Sequence, residues 1–205
     1  MTEQTATMNR AVFLDRDGTM IEDVGYLDRL QRLKLFPYTV DAIRLLNRGG
    51  FKVVVVTSQA GIANGVITEA FVKEAHQEIA RLASAGGARI DGFYYCPHSP
   101  TAVVDEYRTE CDCRKPKPGM IHSAVRDLSL DLSRSFIVGD RWRDIEMGQA
   151  AGTTGILVET GYGKTEAPRR PPNIAPVTVV ADLIEATSWI LGRGEGQGAR
   201  GKSHA

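Results

Sequence analysis

Residues Lys52 to Thr57 include four consecutive valines, and no other feature limits the fold as sharply. A strand that is apolar at every position has no face to show to water, so it belongs inside a parallel sheet covered on both sides. The rest of the chain supplies what such a sheet needs. Ala11-Val12-Phe13-Leu14, Gly92 to Tyr95, Ser135 to Val138, Thr154 to Val158 and Val177 to Val180 read as further short strands. Amphipathic stretches lie between them: Val40 to Arg48 stopped by Gly49-Gly50, Thr68 to about Ser84 with Thr68 as N-cap, Met120 to Leu128, and Asp144 to Ala151 ended by Gly152. A closing helix is expected from a cap at Asp182 to Leu191. This alternation specifies an α/β fold, a Rossmann-like parallel sheet with helices on both faces.

A chain of 205 residues suits one domain. Its expected limits are 10–191, with a flexible stretch at 1–9 and a disordered tail at 192–205 rich in Gly, Ser, Lys and Arg. Ser99 to Pro118 lacks periodicity and is long for a connector, which suggests a functional loop. Twenty-five basic residues balance twenty-five acidic ones, so the chain has no global attraction for polyanions. Its longest aliphatic run, Val53 to Val56, is far short of the roughly 20 residues of a membrane helix. Met1 to Arg10 lacks the apolar stretch of a signal peptide. The expectation is a cytoplasmic monomer with no nucleic-acid or membrane partner.

Asp15-Arg16-Asp17-Gly18-Thr19 directly follows the first apolar strand. Ligands of open α/β sheets bind beyond the carboxyl ends of strands, where these side chains fall. Two carboxylates two residues apart can converge on a hard divalent cation, Mg²⁺ being the usual choice beside phosphate. Taken alone, the motif is equally an Asx-turn with solvated acids. Other strand ends add to it: Thr57-Ser58-Gln59 offers hydroxyls, and Gly139-Asp140-Arg141 followed by Asp144 offers more acid.

Cys96-Pro97-His98 and Cys111-Asp112-Cys113 are separated by twelve residues. Three cysteines without an export signal point to a reducing compartment rather than to disulfides. Three thiolates and one imidazole suit a closed, tetrahedral Zn²⁺ site that would be structural and would tie down the loop 96–113. The alternative is three unligated thiols beside a surface histidine. Arg114-Lys115 follows the last cysteine, so a zinc knot would fix where these cations project.

The set of strand-end groups resembles the haloacid dehalogenase superfamily of aspartate-nucleophile phosphatases. The resemblance implies that Asp15 attacks phosphorus and that Asp17 acts as general acid and base. It also implies Mg²⁺ on Asp15, the backbone carbonyl of Asp17 and Asp140, with Thr57 and Lys115 holding phosphoryl oxygens. Asp144 would orient Lys115 or a metal-bound water. Phe13 to Thr19, Gly25-Tyr26, Gly61-Ile62-Ala63, Tyr94 to His98, Cys111 to Pro116, Gly119-Met120 and Gly139-Asp140 look more narrowly like the D-glycero-D-manno-heptose 1,7-bisphosphate phosphatases.

That family is cap-less, and no domain-sized insertion separates Thr19 from Thr57 or Gln59 from Asp140. It implies removal of the C7 phosphate of a heptose bisphosphate in ADP- or GDP-heptose biosynthesis. Asp23, Val24, Gly25, Tyr26, Thr57, Ser58, Gln59, Ala60, Arg114, Lys115 and Arg141 would touch this small sugar phosphate. Arg114 would grip the second phosphate. Ser58 and Arg141 depart from the family pattern, which often has Asn and Lys there. Histidinol-phosphate phosphatase, a relative with a shorter gap between ligand pairs, is the alternative enzyme. A catalytically idle zinc-stabilised binding domain is the alternative outside enzymes, but it would be expected to lack one of the acids Asp15, Asp17 and Asp140.

Overall fold

The computed structural model describes residues 8–175 and 177–198. Six parallel strands form one sheet: β1 (Ala11–Leu14), β2 (Lys52–Ser58), β3 (Gly92–Cys96), β4 (Phe136–Gly139), β5 (Thr154–Val158) and β6 (Thr178–Val180). Their order across the sheet is β3-β2-β1-β4-β5-β6. The chain therefore winds outward from β1 in one direction, then returns to start again at β4. The crevice at that reversal, beyond the carboxyl end of β1, is where such sheets bind ligands. Register follows directly, with Leu14 opposite Val55 on one side and Val138 on the other.

Helices cover both faces: α1 (Thr39–Arg48), α3 (Glu69–Ala85) and α7 (Leu183–Gly198) on one, α4 (Gly119–Leu128) and α5 (Trp142–Ala151) on the other. Side chains alternate across a strand, so β1 and β2 split cleanly between two cores. Val12, Leu14, Val53 and Val55 pack with Ile43, Leu46, Ile79 and Leu183. Phe13, Val54 and Val56 pack with Met120, Ile121 and Met147. All four central valines are fully buried, as their lack of a polar face requires.

The expected elements are present, with instructive differences at their ends. Helix α5 starts at Trp142 rather than Asp144 because Asp144 is an acid in the first turn, not the cap. Its Oδ2 accepts the Arg141 N–H at 3.0 Å, satisfying a donor that a helix start leaves free. Helix α7 continues to Gly198, into the stretch expected to lack structure; 199–205 lie outside the described residues. Asn9, expected to be flexible, instead pairs with Leu130, while 1–7 lie outside the described residues. The loop 99–118 is irregular apart from a 3₁₀ turn at Asp105–Tyr107. Two four-residue helices, α2 (Ala60–Ala63) and α6 (Gly163–Glu166), were not foreseen, being too short to show periodicity.

Thr68 caps α3 as expected, its Oγ1 accepting the Phe71 N–H at 3.1 Å. Thr68→Ala removes that acceptor and should cost about 1 kcal/mol, read as a melting temperature lower by roughly 2–4 °C. An unchanged melting temperature would show that the cap contributes nothing.

Candidate active site

The carboxyl ends of β1, β2 and β4 deliver their side chains to one cleft of about 360 Å³, lined by Asp15, Asp17, Asp23, Thr57, Lys115, Arg141 and neighbouring residues. Asp15 extends β1 by one residue, its N–H donating to the Val138 carbonyl at 2.9 Å. Lys115 reaches in from the far side of the cysteine loop. Its Nζ lies 2.6 Å from Asp15 Oδ1 and 2.8 Å from Asp144 Oδ1. Burial would lower the Lys115 pKa, but Asp144 and Asp15 outweigh it and hold the ammonium above its usual value.

Asp140 sits in a cradle of glycine backbone. A Cβ at Gly18 or Gly161 would fall 2.4 or 2.3 Å from Asp140 Oδ2, and both glycines have positive φ. Only a residue without a side chain allows this approach. Asp140 Oδ2 accepts the Tyr162 N–H at 2.8 Å, while the buried Oδ1 has no partner among the described residues. One oxygen each from Asp15, Asp140 and Asp144 lie within 4.8 Å of one another. Of these three buried acids, Asp15 and Asp144 pair with Lys115. Burial, only partly opposed by Lys115, raises Asp15 to about 6. Burial and then the Asp15 and Asp144 charges raise Asp140 to about 8. A group of this kind suits a hard divalent cation with oxygen ligands.

The carboxylate of Asp17 is turned away from that group. It receives Arg16 Nε at 3.1 Å and Nη2 at 3.0 Å, and Gln59 Nε2 at 3.1 Å. Thr57 Oγ1 lies 3.4 Å from its Oδ2 and accepts from Gln59 at 2.8 Å. Asp144, expected to orient Lys115, does so by direct ion pairing.

The expected substrate contacts divide. Asp23, Gly25, Tyr26, Ser58, Gln59, Ala60 and Arg141 line the cleft with Thr57 and Lys115. Val24 does not; it packs against the core, and its carbonyl accepts Arg32 Nη2 at 2.9 Å. Arg114 does not either. Its Nη1 donates to the His98 carbonyl at 2.7 Å, and it borders a separate small recess beyond Lys115. Arg143 and Tyr162, which were not foreseen, do line the cleft. The Arg141 guanidinium lies over the Tyr162 ring at 3.4 Å. Gly161-Tyr162-Gly163, just past β5, marks another strand end and was a usable signal.

Cys96, His98, Cys111 and Cys113 converge, their ligand atoms within 4.8 Å of one another. Sulfur–sulfur distances are 3.5 Å for Cys96–Cys111 and 3.2 Å for Cys111–Cys113, and His98 Nδ1 is 3.4 Å from Cys113 Sγ. Zinc–sulfur bonds of about 2.3 Å set tetrahedral sulfurs roughly 3.8 Å apart, so the cage has the right size. Hydrogen bonding from Cys96 lowers the Cys113 thiol to about 5, and the same contact pushes the Cys96 thiol up.

Comparison with known proteins agrees with this geometry. A HAD-hydrolase-like family model matches residues 112–186. The D-glycero-beta-D-manno-heptose-1,7-bisphosphate 7-phosphatase of Escherichia coli K12 is 39% identical over 182 residues, covering 88% of this chain and 87% of its own. Its counterpart in Yersinia pestis is 40% identical, covering 88% and 89%. The crystal structure of D,D-heptose 1,7-bisphosphate phosphatase from B. bronchiseptica, complexed with magnesium and phosphate, superposes with a TM-score of 0.80 at 29% identity, covering 90% of this chain and 99% of that one. With relatives this similar over nearly their whole length, the chain belongs to the heptose 1,7-bisphosphate phosphatase family of haloacid dehalogenase-like hydrolases.

Proposed function

We propose that this protein hydrolyses the C7 phosphate ester of D-glycero-D-manno-heptose 1,7-bisphosphate through an aspartyl-phosphate on Asp15, in heptose biosynthesis. The observation that carries the reading is the convergence of Asp15, Lys115 and Asp140 beyond the carboxyl end of β1, with Asp17 at the same cleft. An Asp15 oxygen attacks phosphorus, and the bond from phosphorus to the sugar oxygen breaks as Asp17 gives that oxygen a proton. Asp17 then takes a proton from the water that attacks the phosphorus of the aspartyl-phosphate, which frees phosphate and restores Asp15. Lys115, kept cationic by its two carboxylates, offsets charge on the transferring group. Thr57 and the Ser58 hydroxyl, which has no partner among the described residues, supply donors beside it.

The unpartnered Asp140 Oδ1 and the surplus of buried acid fit Mg²⁺, held by Asp15, the Asp17 carbonyl and Asp140. Bound there, Mg²⁺ supplies positive charge that reduces repulsion between nucleophile and phosphate. The four-ligand cage fits structural Zn²⁺ that holds the loop carrying Lys115. For the second phosphate the cleft offers Arg141, backed by Tyr162. Arg114, one residue past the last cysteine, is held at the His98 carbonyl and borders a separate recess.

Asp15→Asn should abolish turnover of the heptose bisphosphate without loss of fold, and Asp17→Asn should reduce it by roughly 10²–10⁴-fold. Preference for histidinol phosphate in side-by-side kcat/KM measurements would overturn the substrate assignment. Freshly purified protein should contain about one zinc per chain that resists mild chelation; active protein without zinc in elemental analysis would remove the structural site.

The raised acids also set a pH dependence. Asp15 at about 6 and Asp140 at about 8 bind protons more tightly folded than unfolded. Their contribution to stability is complete below the ordinary carboxylate range and is lost as pH rises through these values. Thermal melts of magnesium-free, zinc-loaded protein should therefore fall from pH 6 to pH 8 as Asp140 loses its proton, and saturating Mg²⁺ should flatten the slope. Melts that rise over that window without Mg²⁺ would contradict this electrostatic account.

A further inference from the structure

His76 lies on α3, outside the cleft lining, and only 6% of it is exposed. Its ring stacks on Phe93 at 4.7 Å and meets Tyr95 edge-on at 5.8 Å. Its Nε2 is 3.4 Å from Nη1 of Arg16, itself 2% exposed. Burial, and then the charge of Arg16, lower the His76 pKa to about 3, so at neutral pH the ring is uncharged. A neutral imidazole with its proton on Nδ1 accepts from a guanidinium at Nε2, which an imidazolium cannot do. The rest of the guanidinium is spent on the site: Nε and Nη2 on Asp17, and Nη2 on Gln59 Oε1 at 3.0 Å. Among the described residues, His76 is the partner of Nη1.

We propose that His76 is a positioning residue for the proton-transfer step: it anchors Nη1, fixes the plane of the Arg16 guanidinium, and through that fork fixes the carboxylate of Asp17. The inference rests on Asp17 being the general acid and base. A guanidinium is a rigid planar fork. Once one corner is held on α3, the Nε–Nη2 edge faces Asp17 in one orientation. Without an acceptor at Nη1, only Gln59 holds the guanidinium besides Asp17 itself, so the plane can tilt and Asp17 turn with it. Proton transfer is sensitive to such a loss of alignment.

The test compares kcat/KM for two substrates. Release of the sugar oxygen of the heptose bisphosphate needs a proton from Asp17, whereas p-nitrophenyl phosphate expels a stabilised phenolate without one. The ratio kcat/KM runs only through departure of the first leaving group, so the later attack by water does not enter it. His76→Phe keeps the stacking and removes the acceptor; His76→Gln keeps an acceptor. The expected result is about a tenfold loss on the heptose bisphosphate, with less than about a twofold loss on p-nitrophenyl phosphate, for His76→Phe. Recovery of most of that loss is expected in His76→Gln. Equal losses on both substrates, or no loss on either, would overturn the proposal.

Asp17→Asn serves as the reference. If it lowers both substrates equally, the general-acid reading of Asp17 fails. If it separates them and His76→Phe does not, only the role of His76 fails. Should His76→Phe melt early, Arg16→Lys keeps the charge, loses the fork and reads the same ratio. An unchanged ratio there also overturns the proposal.

Discussion

Three carboxylates buried against one lysine form the constraint on which the rest of the site depends. Asp15, Asp140 and Asp144 are at most 8% exposed, and Lys115 is the buried ammonium that pairs with two of them. Burying charge without a partner is costly, so the surrounding structure is arranged to hold these groups together. The parallel sheet brings Asp15 and Asp140 to neighbouring strand ends. Glycines 18 and 161 let backbone close around Asp140. The cysteine loop drives Lys115 into the middle from outside the sheet. What remains unbalanced is negative charge, which a divalent cation would offset.

The cysteine loop is best understood as part of the same arrangement. It is irregular over most of its length, and an irregular segment alone would not hold a lysine within 2.6 Å of a carboxylate. The four converging side chains close the loop two residues before Lys115, which leaves little backbone freedom between them and the ion pair. Tyr95 and Tyr107 both donate to Glu69 at the start of α3, tying the loop to the helix that also carries His76. The cysteine cluster, Lys115 and the His76–Arg16 contact are thus linked through one helix and one loop.

Much of this was legible in the sequence. Continuous valines announced a buried parallel strand, Thr68 and Gly152 marked helix ends, and the order of acids at strand ends announced the chemistry. The failures have physical reasons. Asp144 looked like a helix start because an acid in the first turn and an acid at the cap serve the same free N–H groups. Glycines after Leu191 suggested disorder, yet α7 continues through them. Arg114 and Lys115 are adjacent in sequence, but the backbone sends only Lys115 into the cleft. Arg16 stood inside the motif without a role because its partner His76 is 60 residues away, and no local pattern reports a contact of that range.

The central claim is that Asp140 holds a proton near neutral pH until a divalent cation displaces it. Calorimetric titration of Mg²⁺ into the zinc-loaded protein at pH 7, in buffers of different ionisation enthalpy, counts the protons released on binding. The account predicts release approaching one proton per Mg²⁺, lost in Asp140→Asn. Heats identical in all buffers would mean that Asp140 is already ionised before the cation binds.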